Sequence, residues 1–340
     1  MKIAFWVSLV TSIQASQQIP STMQAVVVSA GLGCKGPDWS CLQVKNVSSP
    51  PAPAAGHVVF RVKGSSVDPY VIDEVEAPHL KSVIGGDTSG VVVAVGSGSD
   101  CSHLSVGSEV WVQTTGGYAE YATATCKSTG LKPSTLTFTD AGTMPCVAVT
   151  SLQCWQATGA PWNNITNVTV AVTSGQGGTG ILALQLAKRV FKAAMVITAA
   201  SGDGIPFVKA QGADKVIDYH QQELFDALPD NSVDIVFDNY GAPGTADKAM
   251  HAIRSGGTYL VMDTGGGGKI SKHPKAGVRQ ISFGLMDPSD RAKGLDILKP
   301  FFEQGLLKPH TQANYTLDQV ADAFNADTTG HVLGKLAILP

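Results

Sequence analysis

The sequence of 340 residues predicts an α/β chain of two textures, and three observations carry that prediction. From Met23 to about Pro145, short alternating apolar runs are broken by Gly, Pro and Ser, the pattern of a small β barrel. From about Val168 the runs alternate with helical spacing, and a strand, helix, strand order requires parallel pairing. Where the second texture begins, "VTVAVTSGQGGTGILALQLAK" (Val168 to Lys188) runs from β-branched alternation through a burst of glycines into a helical apolar pattern.

Taken in order, the first 22 residues differ from the rest. Lys2, the apolar "IAFWVSLV" and the small residues of "TSIQAS" around Ala15 have the layout of a secretory signal peptide, so residues 1–22 read as a leader and the fold starts at Met23. That reading places the protein outside the cell or in the endoplasmic reticulum lumen; a true start at Met23, opening "MQAVVV", would make it cytoplasmic. Sequons at Asn46, Asn164, Asn167 and Asn314 agree with the secretory route. In an oxidising compartment Cys34 and Cys41 could close a small loop, because the Gly-Pro between them favours a turn. No C-x-x-C pair is present, which speaks against a structural zinc lobe and thioredoxin-like chemistry.

The barrel strands are expected in "HVVFRVKG", "SGVVVAVG", "SEVWVQT" and "YAEYATA", with Tyr118 and Tyr121 as core aromatics. In the second half, strands are expected in "AAMVITAA", "KVIDY", "VDIVFDNYG" and "TYLVMDTGG", and helices across "IPFVKAQG" and "TADKAMHAIRSGG". A formal net charge of -3 provides no basic stripe, which excludes nucleic acid as a natural partner. Beyond the leader no apolar run is long enough for a membrane span.

Gly175, Gly177 and Gly180 fit G-x-G-x-x-G between a strand and a helix. Missing side chains there let backbone N–H groups and a helix N-terminus meet a pyrophosphate, so a dinucleotide is the expected ligand. The strand that follows ends in Ala199, Ala200 and Ser201 instead of an acid, leaving room for a 2'-phosphate and favouring NADPH. Ser201 could donate to that phosphate. Asp203 reads as a helix cap, and a basic residue expected near Gly204 is missing.

Through "GGTGILALQLAK", "GADKVIDY", "VDIVFDNYG", "IRSGGTYLVM", the closing "GLLKPHTQANYTLDQVADAFNADTTGHVLGKLAIL", and "GGDTSGVVVAVGSG", "VGSEVWV" and "GGYAEYA" in the first half, the chain resembles the medium-chain dehydrogenase/reductase superfamily. The resemblance implies a GroES-like β-rich catalytic domain (23–146 and 286–340) and a Rossmann domain of doubly wound parallel sheet (147–285) that binds NADP(H). It implies a homodimer. It also implies cofactor contacts at Gly178, Thr179, Tyr219, Asn239, Gly265 and Lys335, beside the turn glycines and Ser201.

The Cys, His, Cys zinc ligands of the family's alcohol dehydrogenases fall here on Asp68, Gly86 and Cys146. Only one is kept, so no catalytic metal is expected. The chain looks more like the zinc-independent quinone oxidoreductases and enone or enoyl reductases, with a quinone or enone as small-molecule substrate. Asp68 in "SSVDPY" stands where those enzymes commonly hold Asn, and the "VDPY" form is similar to that of the prostaglandin and alkenal reductases. Tyr70 and Thr150 in "PCVAVTSLQ" are then the candidate hydroxyls near the nicotinamide. The competing expectation is a secreted or lumenal module that holds a dinucleotide without turnover.

Overall fold

The computed structural model describes residues 19–29, 34–77, 83–162, 166–262, 268–284 and 291–340. A hairpin of β1 (Thr22–Val28) and β2 (Leu42–Ser48) opens the chain. A seven-stranded sheet follows from β3 (His57–Ser66), β4 (Asp87–Val95), β5 (Glu109–Gln113), β6 (Tyr121–Thr125) and β7 (Thr129–Leu131), with α1 (Pro69–Glu76) between β3 and β4. The four expected barrel strands are present. Their alternation buries Val58, Phe60, Val92, Val110, Val112 and Ala124 in one core. Tyr118 is fully buried and its hydroxyl donates to Ser66 O at 2.8 Å, so it is a core aromatic as expected.

Helices α2 (Phe138–Gly142) and α3 (Pro145–Ala157) lead out of this sheet; the expected domain join at 146/147 falls inside α3. A six-stranded parallel sheet is then built from β8 (Thr169–Val172), β9 (Met195–Ala200), β10 (Lys215–Asp218), β11 (Val233–Asp238), β12 (Ile253–Met262) and β13 (Arg279–Phe283). Its order is β10-β9-β8-β11-β12-β13, with α4 (Gly178–Gln185), α5 (Gly204–Gln211) and α6 (Thr245–Ala249) as crossovers. The order reverses direction between β8 and β11, the place where such sheets open a crevice at their carboxyl ends.

The near-continuous apolar runs of these strands follow from burial on both faces. Val170, Val172, Val196 and Phe237 pack with Ile181, Leu184 and Val208 on one side. Ala171, Ile197 and Val236 pack with Leu224, Phe225, Ala246 and Ala249 on the other. The helix expected across "TADKAMHAIRSGG" stops at Ala249, because Ile253 is already paired with Val233 and the chain continues as β12.

The chain then returns. After α7 (Arg291–Glu303), β14 (Thr311–Thr316), α8 (Val320–Thr328) and β15 (Lys335–Leu339) complete the first sheet, β15 pairing antiparallel with β3. Leu295, Leu298 and Phe302 of α7 join Trp111 of β5 and the helices of the second sheet in one shared core, with the Trp111 and Phe302 rings edge to face at 5.6 Å.

Cys34 and Cys41 form the expected disulfide, with Cα atoms 5.7 Å apart. A second, unexpected one joins Cys101 and Cys126, Cα atoms 5.0 Å apart, while Cys146 and Cys154 are free. Among the described residues no helix is long and apolar enough to cross a membrane. Asn46, Asn167 and Asn314 are exposed; Asn164 lies outside the described residues.

Candidate functional site

The glycine turn between β8 and α4 divides its labour. A Cβ on Gly175 would lie 2.5 Å from Thr198 Oγ1, and one on Gly180 would lie 2.0 Å from Ser174 O. Both glycines therefore let the helix close onto the sheet. Gly177 differs, since a Cβ there would meet nothing within 4 Å, although its φ of -76° is open to any residue. The freedom at Gly177 serves something that approaches from outside, at the N-terminus of α4, where unpaired N–H groups favour an anion. Gly178 makes room for the lysine stem of residue 335, whose Cδ would be 2.4 Å from its Cβ. Thr179 uses its carbonyl to accept the Ser151 hydroxyl at 2.9 Å, tying α3 to α4.

Asn239, expected to touch cofactor, grips the turn from behind. Its Oδ1 accepts from Ser174 N at 2.9 Å and its Nδ2 donates to Ser174 O at 2.8 Å. Beside it, buried Asp238 accepts from Thr173 Oγ1, Gly241 N and the Tyr259 hydroxyl, at 2.8, 2.9 and 2.6 Å. Burial and Asp238 push the Tyr259 phenol up, so it stays a donor and the brace stays closed.

In front of the turn lies a cavity of about 520 Å³, within the range that holds small ligands. Thr173, Ser174 and Gln176 of the turn line it, with Ala199 at the end of β9, Tyr219, Glu223, Tyr240 and Lys248, and Thr329 to His331 facing them from the carboxy-terminal segment. Tyr219 is there as expected. Ser201 is half-buried and does not line it. Asp203 occupies the position before α5 but its side chain makes no capping bond, which corrects the expectation of a cap. Gly265 lies outside the described residues.

A second cluster sits where the two sheets meet. Asp68, only 2% exposed, pairs through Oδ1 with Lys335 Nζ at 2.7 Å, and its Oδ2 accepts from Ser66 Oγ at 3.0 Å. Lys335 Nζ also donates to Val67 O. The lysine expected among the cofactor contacts thus spends its charge on Asp68. Although burial opposes it, the surrounding carboxylates, Asp68 foremost, hold the lysine above the ordinary range and keep it an ammonium. β15 begins at this residue, Gly334 N donates to Gln176 O at 2.7 Å, and Gly334 bridges Gly177, so the last strand joins the cluster to the turn.

Asp87, fully buried, was missed in the sequence. Its Oδ2 accepts from Cys146 N at 2.7 Å, in the first turn of α3, while its Oδ1 has no hydrogen-bond partner. Burial, reinforced by Asp68, pushes its carboxyl well above the usual range against the pull of Lys335. The Tyr70 hydroxyl is likewise buried and without a partner. Burial and then Asp68, Asp87 and Cys146 push it up, with Gln113 pulling weakly the other way. Cys146 is pushed up by burial and by Asp87, which keeps it a thiol. Thr150 lies half-buried on α3, one residue before the Ser151 tie, and neither it nor Asp68 nor Tyr70 lines the cavity.

The zinc positions do not fit a metal. Asp68 is committed to Lys335, and a Cβ on Gly86 would fall 1.8 Å from the Tyr70 hydroxyl, so tyrosine occupies the space a histidine would need. Among the described residues no cluster of three His, Cys, Asp or Glu side chains could hold a metal ion.

Comparison with known proteins agrees with the two-sheet fold. The family model described as an alcohol dehydrogenase GroES-like domain matches residues 54–156, and that described as a zinc-binding dehydrogenase matches residues 211–338. A 2-methylene-furan-3-one reductase of Solanum lycopersicum is 32% identical over 273 residues, 77% of this chain and 64% of that protein, so the chain spans just under two thirds of that relative. An NADPH-dependent alkenal/one oxidoreductase of Arabidopsis thaliana chloroplasts is 29% identical over 355 residues, 98% of this chain and 83% of that protein. The quinone oxidoreductase of Coxiella burnetii shares the fold, with a TM-score of 0.79 at 24% identity over 94% of this chain and 99% of that one.

Proposed function

The chain belongs to the medium-chain dehydrogenase/reductase superfamily, in its quinone oxidoreductase-like branch, and on that footing we propose that it reduces quinones or the double bond of α,β-unsaturated carbonyls with NADPH and without zinc. The observation that carries this reading is the open face of Gly177 at the head of α4, in front of a cavity at the carboxyl ends of a parallel sheet. The Asp68, Tyr70 and Asp87 cluster is joined to that turn through β15.

A bound dihydronicotinamide would supply the hydride. The chain's own work is then to hold the negative charge that builds on the substrate oxygen. The Tyr70 hydroxyl is the candidate, because it is buried, lacks a partner and is kept protonated by its surroundings. It donates a hydrogen bond to that oxygen and retains its own proton, and the proton that completes the reduction comes from solvent. Lys335 compensates Asp68, so a buried carboxylate stands beside Tyr70 without leaving an unpaired charge. Thr150, on α3, would hold the amide of the nicotinamide.

The disulfides and the leader-like layout of residues 1–22 support a secreted or lumenal location, and the family resemblance supports a homodimer. Purified protein should oxidise NADPH in the presence of a quinone or an enone, and a chelator should leave the rate unchanged. Tyr70→Phe should lower kcat by roughly 10²-fold, the usual cost of removing one such donor. NADPH that protects against heat while no substrate is reduced would identify a binding module instead. Zinc in stoichiometric amount, whose removal ends turnover, would overturn the metal-free reading.

A further inference from the structure

The turn after β9, residues 201–204, holds no basic side chain. Gly204 is buried, and a Cβ there would meet Gln176 Oε1 at 2.4 Å, so a lysine at 204 would have to turn the Gln176 side chain aside. Charge reaches the cavity from elsewhere. Lys248, on α6, forms an ion pair with Glu223, and both line the cavity. They stand among two unusually open tyrosines, Tyr219 at 41% and Tyr240 at 71% exposure. Tyr219 follows β10 and Tyr240 follows β11, on opposite sides of the central strands β8 and β9, so the pair can flank a flat base while Lys248 and Glu223 reach its ribose.

We propose that the Lys248–Glu223 pair decides between NADPH and NADH, Lys248 turning from Glu223 to a 2'-phosphate and Glu223 accepting from a free 2'-hydroxyl when the phosphate is absent. The inference rests on the dinucleotide reading above and names the residues that give it specificity. Each side chain of the pair opposes the other: the ammonium attracts the phosphate, and the carboxylate both holds the ammonium away and repels the same phosphate. Preference for NADPH is therefore moderate in the parent and can be moved in either direction by neutralising one partner. Both side chains are more than half exposed, at 54% and 57%, so either substitution leaves packing untouched.

Calorimetric titration of 2',5'-ADP, 5'-AMP, NADPH and NADH into the full-length parent, Lys248→Met and Glu223→Gln tests this, with thermal melting to verify that each variant is folded. Lys248→Met should weaken 2',5'-ADP and NADPH about tenfold and leave 5'-AMP unchanged, as expected for one charge-assisted contact. Glu223→Gln should tighten the two phosphorylated ligands by about threefold and weaken NADH, because a neutral amide oxygen accepts from the 2'-hydroxyl less strongly than a carboxylate does. Equal changes for all four ligands, or none, would overturn the assignment while leaving the dinucleotide reading intact. A folded parent that binds none of the four would overturn that reading, and this inference with it.

Discussion

The two halves of the site are built from different material. The cofactor side is backbone: a strand, five residues of turn and a helix N-terminus, all within one short stretch, with glycines placed where atoms must come close. The substrate side is side chains brought together from four distant places, residues 66–70, 87, 146 and 335, built around one buried ion pair and mutually dependent. A backbone site tolerates change wherever its glycines face outward. A side-chain cluster of buried charges tolerates almost none.

The largest expected effect is therefore on the second side. Lys335→Met leaves Asp68 buried and unpaired, and should destabilise the fold by about 3–5 kcal/mol in denaturant unfolding. Adding Asp68→Leu should restore much of that loss, because it is the orphaned charge and not the missing pair that is costly. A Lys335→Met variant as stable as the parent would show the cluster to be wetter and looser than its packing.

The turn should separate into two classes. Gly180→Ala drives a methyl against Ser174 O and should cost a few kcal/mol of stability, of the order of other overpacked cores. Gly177→Val places its Cβ where no protein atom lies within 4 Å, so its melting temperature should stay near the parent's while NADPH affinity falls at least tenfold, because the new side chain stands where the pyrophosphate approaches. Equal melting losses in both would erase the distinction between packing glycines and ligand-facing ones.

The smallest effect has the opposite sign. Because its carboxyl is raised in the fold, Asp87 contributes stability only at low pH, and that contribution is lost as pH rises from the ordinary carboxylate range through its folded value. Asp87→Asn can still accept from Cys146 N and does not titrate. It should be more stable than the parent by about 1 kcal/mol at pH 7, the gap closing toward pH 4, and less active. A gap independent of pH would mean that Asp87 is not held neutral by its surroundings.

Legibility followed the same division. The glycine turn could be recognised because the constraint is local: each glycine answers to an atom a few residues away or to open space. The Cys34–Cys41 bond was legible for the same reason, since a Gly-Pro turn lies between its ends, whereas Cys101 and Cys126 are 25 residues apart with nothing local to join them. Asp68 read as a departure from an asparagine, an acceptor with nothing to donate. Its partner was 267 residues away, on the last strand, and only the pairing of β15 with β3 brings them together. Asp87 carried no signal of its own in "GGDTSG", and the place of Asn239 at a strand end does not reveal that its amide bonds the Ser174 backbone.

Lys335 is held at both ends of its side chain: Nζ is fixed to Val67 O and Asp68, and the stem lies in the groove left by Gly178. It cannot swing aside, so a side chain at 178 would force the ammonium out of its socket. Positions 68, 178 and 335 are therefore one unit of inheritance. In an alignment of relatives, an acid at 68, a glycine at 178 and a lysine at 335 should be gained and lost together, and lineages that replaced one should show the other two drifting within few substitutions.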